Sequence, residues 1–157
     1  MKLEPLEFEG GYFCRTYRSS ETISRSVLPE RYKHDKSLAT SIYYLLTAGT
    51  CSRLHRLPTD EVYHFYLGDP VELLMLYPDG NGRMVTLGQR LDLGQEMQVV
   101  VPAGVWQGSS LVSGGSYALM GMTMSPGFDR DDFEPAERRT LIEQYPGFEE
   151  SILALAD

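Results

Sequence analysis

The sequence predicts an all-β fold, a barrel or jelly roll, followed by a short helical tail. Three observations predict it. Short runs rich in β-branched and aromatic residues recur at spacings of about 8–12 residues, with turn signals between them. The 157 residues include 15 glycines, 9 prolines and 10 tyrosines, a composition that suits turns and strands better than helices. Helical spacing of apolar residues begins only near Pro135, past the last strand-like run.

The elements follow in chain order. Leu3–Phe8 carries Pro5 and reads as an edge strand. Gly10-Gly11 is a turn, and Tyr12–Tyr17 is a strand. Ser19–Thr40, with Pro29, Lys33, His34, Asp35 and Lys36, reads as a long polar loop of the kind that serves as a lid or a partner-contact arm. Ser41–Thr47 is a strand whose continuous apolar run predicts burial on both faces. Ser52–Arg56 and Glu61–Leu67 are strands joined by the turn Leu57-Pro58-Thr59-Asp60. Val71–Tyr77 and Arg83–Leu87 flank the hairpin turn Pro78–Gly82. Leu91–Gly94 is a short strand or turn, and Met97–Val101 is a strand stopped at Pro102-Ala103-Gly104. Val105–Leu111 and Tyr117–Met124 complete the β region, the latter with Met120, Met122 and Met124 on one face as core filling. Asp129, Arg130, Asp131 and Asp132 read as a solvated charge run. A helix is expected over Pro135–Tyr145 and a second over Phe148–Ala156. The expectation is one domain over residues 1–157, with the barrel at about 3–126 and the tail at about 135–156.

Composition excludes several classes. The net charge is −8 and no dense Lys/Arg cluster occurs, so nucleic acid is not an expected partner. No apolar run approaches the ~20 residues of a membrane span. The acidic start, Met1 to Tyr12, lacks the apolar core of a signal peptide, and a cytoplasmic protein is expected. Cys14 and Cys51 have no metal or redox spacing and are expected to be free, buried thiols.

The stretch Gly49–Gly68 concentrates the chemistry. Side chains alternate across a strand, so Glu61, Tyr63, Phe65 and Leu67 share one face, and Val62, His64 and Tyr66 the other. With the first set inward, His55 and Glu61 meet across a hairpin inside an aromatic-lined barrel. An imidazole beside a carboxylate has the fixed tautomer and raised basicity that acid–base catalysis or metal binding requires.

The pattern G-x5-H-x5-E-x6-G, formed by Gly49, His55, Glu61 and Gly68, resembles the first motif of the cupin superfamily. That motif has a second histidine where Leu57 stands here, and the second motif has a histidine where Gln107 follows Pro102-Ala103-Gly104. EGGYFCRTYRS at Glu9–Ser19, SIYYLL, the run Ser52–Tyr63, VVVPAGVWQ and MSPGFDRDDFE are similar to a narrower family of uncharacterised function, often called cupin family five. Its members usually carry a helix and a histidine-proline pair before the glycine turn, where Leu6-Glu7-Phe8 stands here. The resemblance implies a double-stranded β-helix, the cupin jelly-roll barrel, paired as a homodimer through its sheets.

The functional expectation is a small-molecule-binding cupin whose ligand is a sugar or nucleotide derivative. Resemblance to metal-free epimerases of nucleotide-linked sugars implies an isomerase or epimerase, in which His55 removes a proton and a tyrosine returns one. Tyr43, Tyr63 and Tyr117 are the candidate acids; Tyr63 is grouped with His55 and Glu61 as catalytic, Tyr43 and Tyr117 with the ligand-binding residues. Glu61 or Asp60 would orient His55, and Arg53, Arg56 or Gln107 would stabilise an oxyanion. Trp106, beside a turn at the expected barrel mouth, would stack on a sugar or base. No cofactor is expected. The alternative is a divalent metal held by His55, Glu61 and Gln107 in an oxygenase or isomerase. A third reading is an interaction protein with a vestigial pocket.

Overall fold

The computed structural model describes residues 1–156. Its strands are β1 (Glu4–Pro5), β2 (Tyr12–Arg18), β3 (Thr22–Ile23), β4 (Lys36–Ser37), β5 (Thr40–Thr47), β6 (Cys51–Arg56), β7 (Glu61–Gly68), β8 (Val71–Leu76), β9 (Gly82–Leu87), β10 (Gln98–Val101), β11 (Trp106–Leu111), β12 (Tyr117–Met124) and β13 (Glu134–Pro135). Two helices follow, α1 (Arg138–Gln144) and α2 (Glu149–Leu155).

Four antiparallel pairs are nested in sequence: β5 with β12, β6 with β11, β7 with β10, and β8 with β9. Successive pairs alternate between a sheet ordered β1-β2-β5-β12-β7-β10 and a sheet ordered β13-β6-β11-β8-β9. This is the winding of a double-stranded β-helix, an all-β jelly roll. Between the sheets lies a core that includes Tyr44, Leu46, Tyr63, Phe65, Leu73, Met75, Val99, Val101 and Met120. The methionine row of β12 points into this core, as alternation predicts.

The outer faces of the two sheets differ. Strand β8 (VELLML) sends Val71, Leu73 and Met75 inward, and Leu74 and Leu76 outward against Leu141, Tyr145, Ile152 and Leu155 of the tail. Each such side chain contributes about 1.5–3 kcal/mol on burial, so the tail is a structural cover for the second sheet. The two-face burial expected for Ser41–Thr47 belongs to β8 instead. In β5, Tyr44 and Leu46 are buried while Tyr43 and Leu45 lie half-buried on the outer face.

The tail begins later than the sequence pattern suggests. Glu134 and Pro135 pair with Arg56 and His55 as an extra strand, and α1 starts after Glu137, whose carboxylate accepts from the Arg139 and Thr140 amides. The Ser19–Thr40 segment is likewise no free loop. It forms the β3–β4 ribbon, buries Tyr32 with its hydroxyl 2.9 Å from Thr59 Oγ1, and buries Lys36. Leu91–Leu93 is a 3-10 turn, and Cys14 and Cys51, not joined in a disulfide, are only half-buried. No described helix is long and apolar enough to cross a membrane.

Candidate functional site

The site is set by one irregularity in the second sheet. Gln107 pairs with His55, and Ser109 pairs with Ser52, so three steps on β6 match two on β11. The extra residue is a bulge across Arg53 and Leu54. It keeps Ser52 and His55 on the interior side while Leu54 packs outward against the tail helices. Strict alternation would have put Ser52 and His55 on opposite faces, which is why sequence reasoning missed Ser52.

His55 is buried, and its Nδ1 lies 2.7 Å from the Arg53 carbonyl oxygen. A carbonyl only accepts, so Nδ1 carries a proton, and in the neutral ring the lone pair sits on Nε2. The ring stacks on Phe133 with centroids 4.8 Å apart. Glu61 does not take up His55 as the sequence led us to expect. Its Oε2 instead accepts from Gln107 Nε2 at 2.8 Å, and Gln107 stands between the two as the cross-strand neighbour of His55. Asp60 does not orient the imidazole either; its Oδ1 accepts from the Ala103 amide at 2.8 Å. That contact docks the Pro102–Gly104 turn, where Gly104 has φ +80° and no side chain is easily accommodated.

Around Glu61 is a buried polar cluster. Glu9 enters from the turn before β2, and its Oε1 accepts from Ser52 Oγ at 2.8 Å. Gly10 follows at φ +106°, and a Cβ there would meet the Cys51 carbonyl oxygen at 2.1 Å, so only glycine lets Glu9 enter at this depth. Tyr44 Oη donates to the Gly10 carbonyl at 2.9 Å. Burial, reinforced by Glu9, pushes the Glu61 carboxyl up to about 8, and the Gln107 hydrogen bond offsets only part of this. Burial, then the charges of Glu61 and Glu9, holds the Tyr63 phenol well above its ordinary value. Three buried atoms in this region have no partner: Tyr63 Oη, Gln107 Oε1 and Ser109 Oγ.

Glu9 and Glu61 open onto a cavity of about 200 Å³. Its walls are mainly apolar, with Leu6, Phe13, Ile42, Leu57, Met122 and Met124, and Arg15 and Arg130 stand at its rim. Over the barrel end runs the segment from Phe128 to Phe133. Phe8 makes an edge contact with Phe133 at 4.8 Å, and the Arg130 guanidinium lies 3.9 Å from the Phe8 ring centre. Lys36, buried, fastens this strap by donating to Asp129 at 2.9 Å and to Asp132. The Asp129–Asp132 run is therefore a clasp, correcting the reading as a solvated charge run.

Five sequence-predicted site residues lie elsewhere. Trp106 is on the outer side of β11, packed against the tail cluster with the Arg56 guanidinium 4.7 Å from its ring, because alternation turns it opposite to Gln107. Tyr43 and Tyr117 lie on the outer face of the first sheet, Tyr43 edge-on to Tyr66 at 5.9 Å and Tyr117 exposed. Arg53, in the bulge, donates to the Glu7 carbonyl at 2.9 Å. Arg56 forms a bidentate pair with Glu134. The sequence reading overlooked Glu9, Arg15 and Arg130; the only local signal was an acid directly before the Gly10-Gly11 turn.

A divalent metal does not fit the residues present. Among the described residues no three His, Cys, Asp or Glu side chains are grouped so as to hold a metal ion. The position where the resembling motif offers an imidazole holds Gln107, which turns its amide N–H toward Glu61. One imidazole and one carboxylate make a poor donor set for Zn, Fe or Mn.

Comparison with known proteins agrees with this architecture. Residues 1–136 match the family described as Cupin superfamily (DUF985). The uncharacterised protein YML079W of Saccharomyces cerevisiae is 30% identical over 135 residues, a match spanning 79% of this chain and 66% of the yeast protein. A hypothetical protein from Leishmania major superposes with a TM-score of 0.87 at 33% identity, covering 98% of this chain and 93% of that one. Protein SO0799 from Shewanella oneidensis gives 0.86 at 33% identity, with coverage of 99% and 91%. The nested jelly roll, the His55–Glu61 spacing and the match over most of its length make this chain a member of the cupin superfamily, in its DUF985 family.

Proposed function

We propose that this cupin binds a small organic molecule in the cavity between its sheets, against Glu61. The observation that supports binding is the unpartnered polar set Tyr63 Oη, Gln107 Oε1 and Ser109 Oγ, buried in a barrel that also holds the Glu61-lined cavity. A core built only for stability satisfies such groups, because each buried orphan costs about 1–3 kcal/mol. Glu61, bonded to Gln107, links this polar set to the cavity wall. The test is a thermal-shift panel of sugar nucleotides, keto acids and amino acids on wild type and on Met122→Trp, which fills the cavity. A ligand at ~100 times its dissociation constant adds about 2.7 kcal/mol to wild type and nothing to the variant. Equal shifts in both proteins, or none in wild type, refute binding in the barrel.

Proton transfer, as in sugar-type epimerisation or isomerisation, is the second reading, and the Glu61 carboxyl titrating at about 8 supports it. Here the acid–base role moves from His55 to Glu61, since Glu61 lines the cavity whereas His55 stacks beneath Phe133. Deuterium uptake from solvent into a bound carbon acid should disappear in Glu61→Gln and persist in His55→Ala. The reverse result returns the role to His55.

The protein acts as a homodimer in this reading, joined through the outer face of the first sheet. That face exposes Tyr66, Val100 and Tyr117, whereas the chain covers the other sheet with its own helices.

A further inference from the structure

The cavity is electrically polarised from floor to rim. At the buried end stand two carboxyl groups, Glu9 and Glu61, whose hydrogen bonds come from the neutral donors Ser52 and Gln107. At the exposed end stand Arg15 and Arg130. Among the described residues neither guanidinium has an ion-pair partner, and neither carboxyl has a cationic one. Arg130 is held in place by the faces of Phe8 and Phe133. The other rim acid, Asp129, is already occupied by Arg18 and Lys36. Carboxyl groups and guanidiniums thus face one another across apolar walls without meeting.

One further feature points to a ligand with donors at its inner end: Glu61, which lines the cavity, leaves its Oε1 without a hydrogen bond. An ammonium group has three donors and a positive charge, which suits this set of acceptors. At the rim, two guanidiniums suit a carboxylate or phosphate. Between them Phe13, Ile42 and Met122 offer nothing polar, so the connecting part of the ligand is apolar.

From this arrangement, which rests on the cavity being a binding site, we infer that the ligand is a zwitterion with its charges at opposite ends of an apolar spacer. The ammonium lies against Glu9 and Glu61, and the anionic group against Arg15 and Arg130. Molecules of the ω-amino acid type have this form, in contrast to the nucleotide sugars suggested by family resemblance.

The experiment is calorimetric titration of the full chain with 6-aminohexanoate, hexylamine and hexanoate. The zwitterion is expected to bind about tenfold more tightly than either half-molecule, the worth of one charge-assisted contact at each end. Arg15→Met, an exposed position that tolerates change, should abolish the advantage over hexylamine and spare the advantage over hexanoate. Glu9→Gln, which can still accept from Ser52, should do the converse. Equal affinities for the three probes, or variants that leave all three unchanged, overturn the inference. So does 6-aminohexanoate binding that persists in Met122→Trp, because it then lies outside the barrel. If none of the three binds but another molecule binds in a manner that Met122→Trp abolishes, the charge assignment falls while the cavity stands. If nothing binds in that manner, both fall.

Discussion

Glu61 should make this protein lose stability as pH rises, contrary to the behaviour of most carboxylates. Its pKa climbs from an ordinary 4.5 to about 8 in the fold, with burial the largest cause and Glu9 the second. The native state therefore holds a proton between these values that the unfolded chain has released. Stability rises with pH only where the unfolded state binds more protons, so here it falls. Each factor of ten in proton affinity is worth about 1.4 kcal/mol, which places the full loss near 5 kcal/mol. That loss is absent below about pH 4.5, grows through the neutral range and is complete above about pH 8. It is comparable to the whole stability of many domains. Glu61→Gln removes the titration and keeps an oxygen for Gln107. The assay is urea unfolding of both proteins at one concentration across that pH range, with the difference in unfolding free energy plotted against pH. Groups common to both proteins cancel in the difference, and the wild type should fall behind the variant by several kcal/mol as pH rises. A flat difference, or one that favours wild type at high pH, would refute the claim that Glu61 is buried without a cationic partner.

Three other outcomes follow from the geometry. Lys36→Met should destabilise by about 3 kcal/mol, since it leaves Asp129 and Asp132 without their buried partner; amide exchange over residues 127–133 should quicken, and unchanged exchange would show that the clasp does not hold the strap. Trp106 emission should not respond to a ligand in the barrel but should shift to the red in Leu141→Ala, because the indole packs with the tail; fluorescence following ligand saturation would contradict its placement. Val100→Asp, on the exposed face of the first sheet, should convert a homodimer to a monomer in sedimentation equilibrium without altering cavity binding, and an unchanged mass would move the interface elsewhere.

The sequence disclosed the winding because strand and turn signals are local. Period-two alternation correctly set Glu61, Tyr63 and Phe65 on one face. Where alternation was broken, it misled. The bulge at Arg53 and Leu54 depends on pairing with a strand some fifty residues away, which no local pattern reveals. Trp106 was misplaced for a different reason: it was read from its closeness to a turn, although its alternation with Gln107 already assigned it the opposite face. The partners of Asp129 and Asp132 were hidden because Lys36 reaches them from 93 and 96 positions away. Charge runs look solvated until tertiary structure supplies such a contact. Glu9 escaped notice because its role depends on how closely Gly10 approaches Cys51.

The departures from the cupin motif and the perturbed carboxyl have one physical cause. Where the motif carries further imidazoles, Leu57 and Gln107 stand here, and both are buried. Leu57 removes a ligand and adds apolar wall; Gln107 substitutes a neutral amide for a group able to hold a cation. Glu61 keeps its place on β7 but loses any positive neighbour, and one amide hydrogen bond does not compensate the desolvation of a full charge. The carboxyl responds by retaining its proton near neutral pH. A position that would serve as a fixed anionic ligand beside a metal becomes a group that can give or take a proton near neutral pH. An incoming cation would draw that proton off, so ligand binding and proton release are coupled by the same residue. The chemistry open to this barrel is thus set less by the histidine it retains than by the two it lacks.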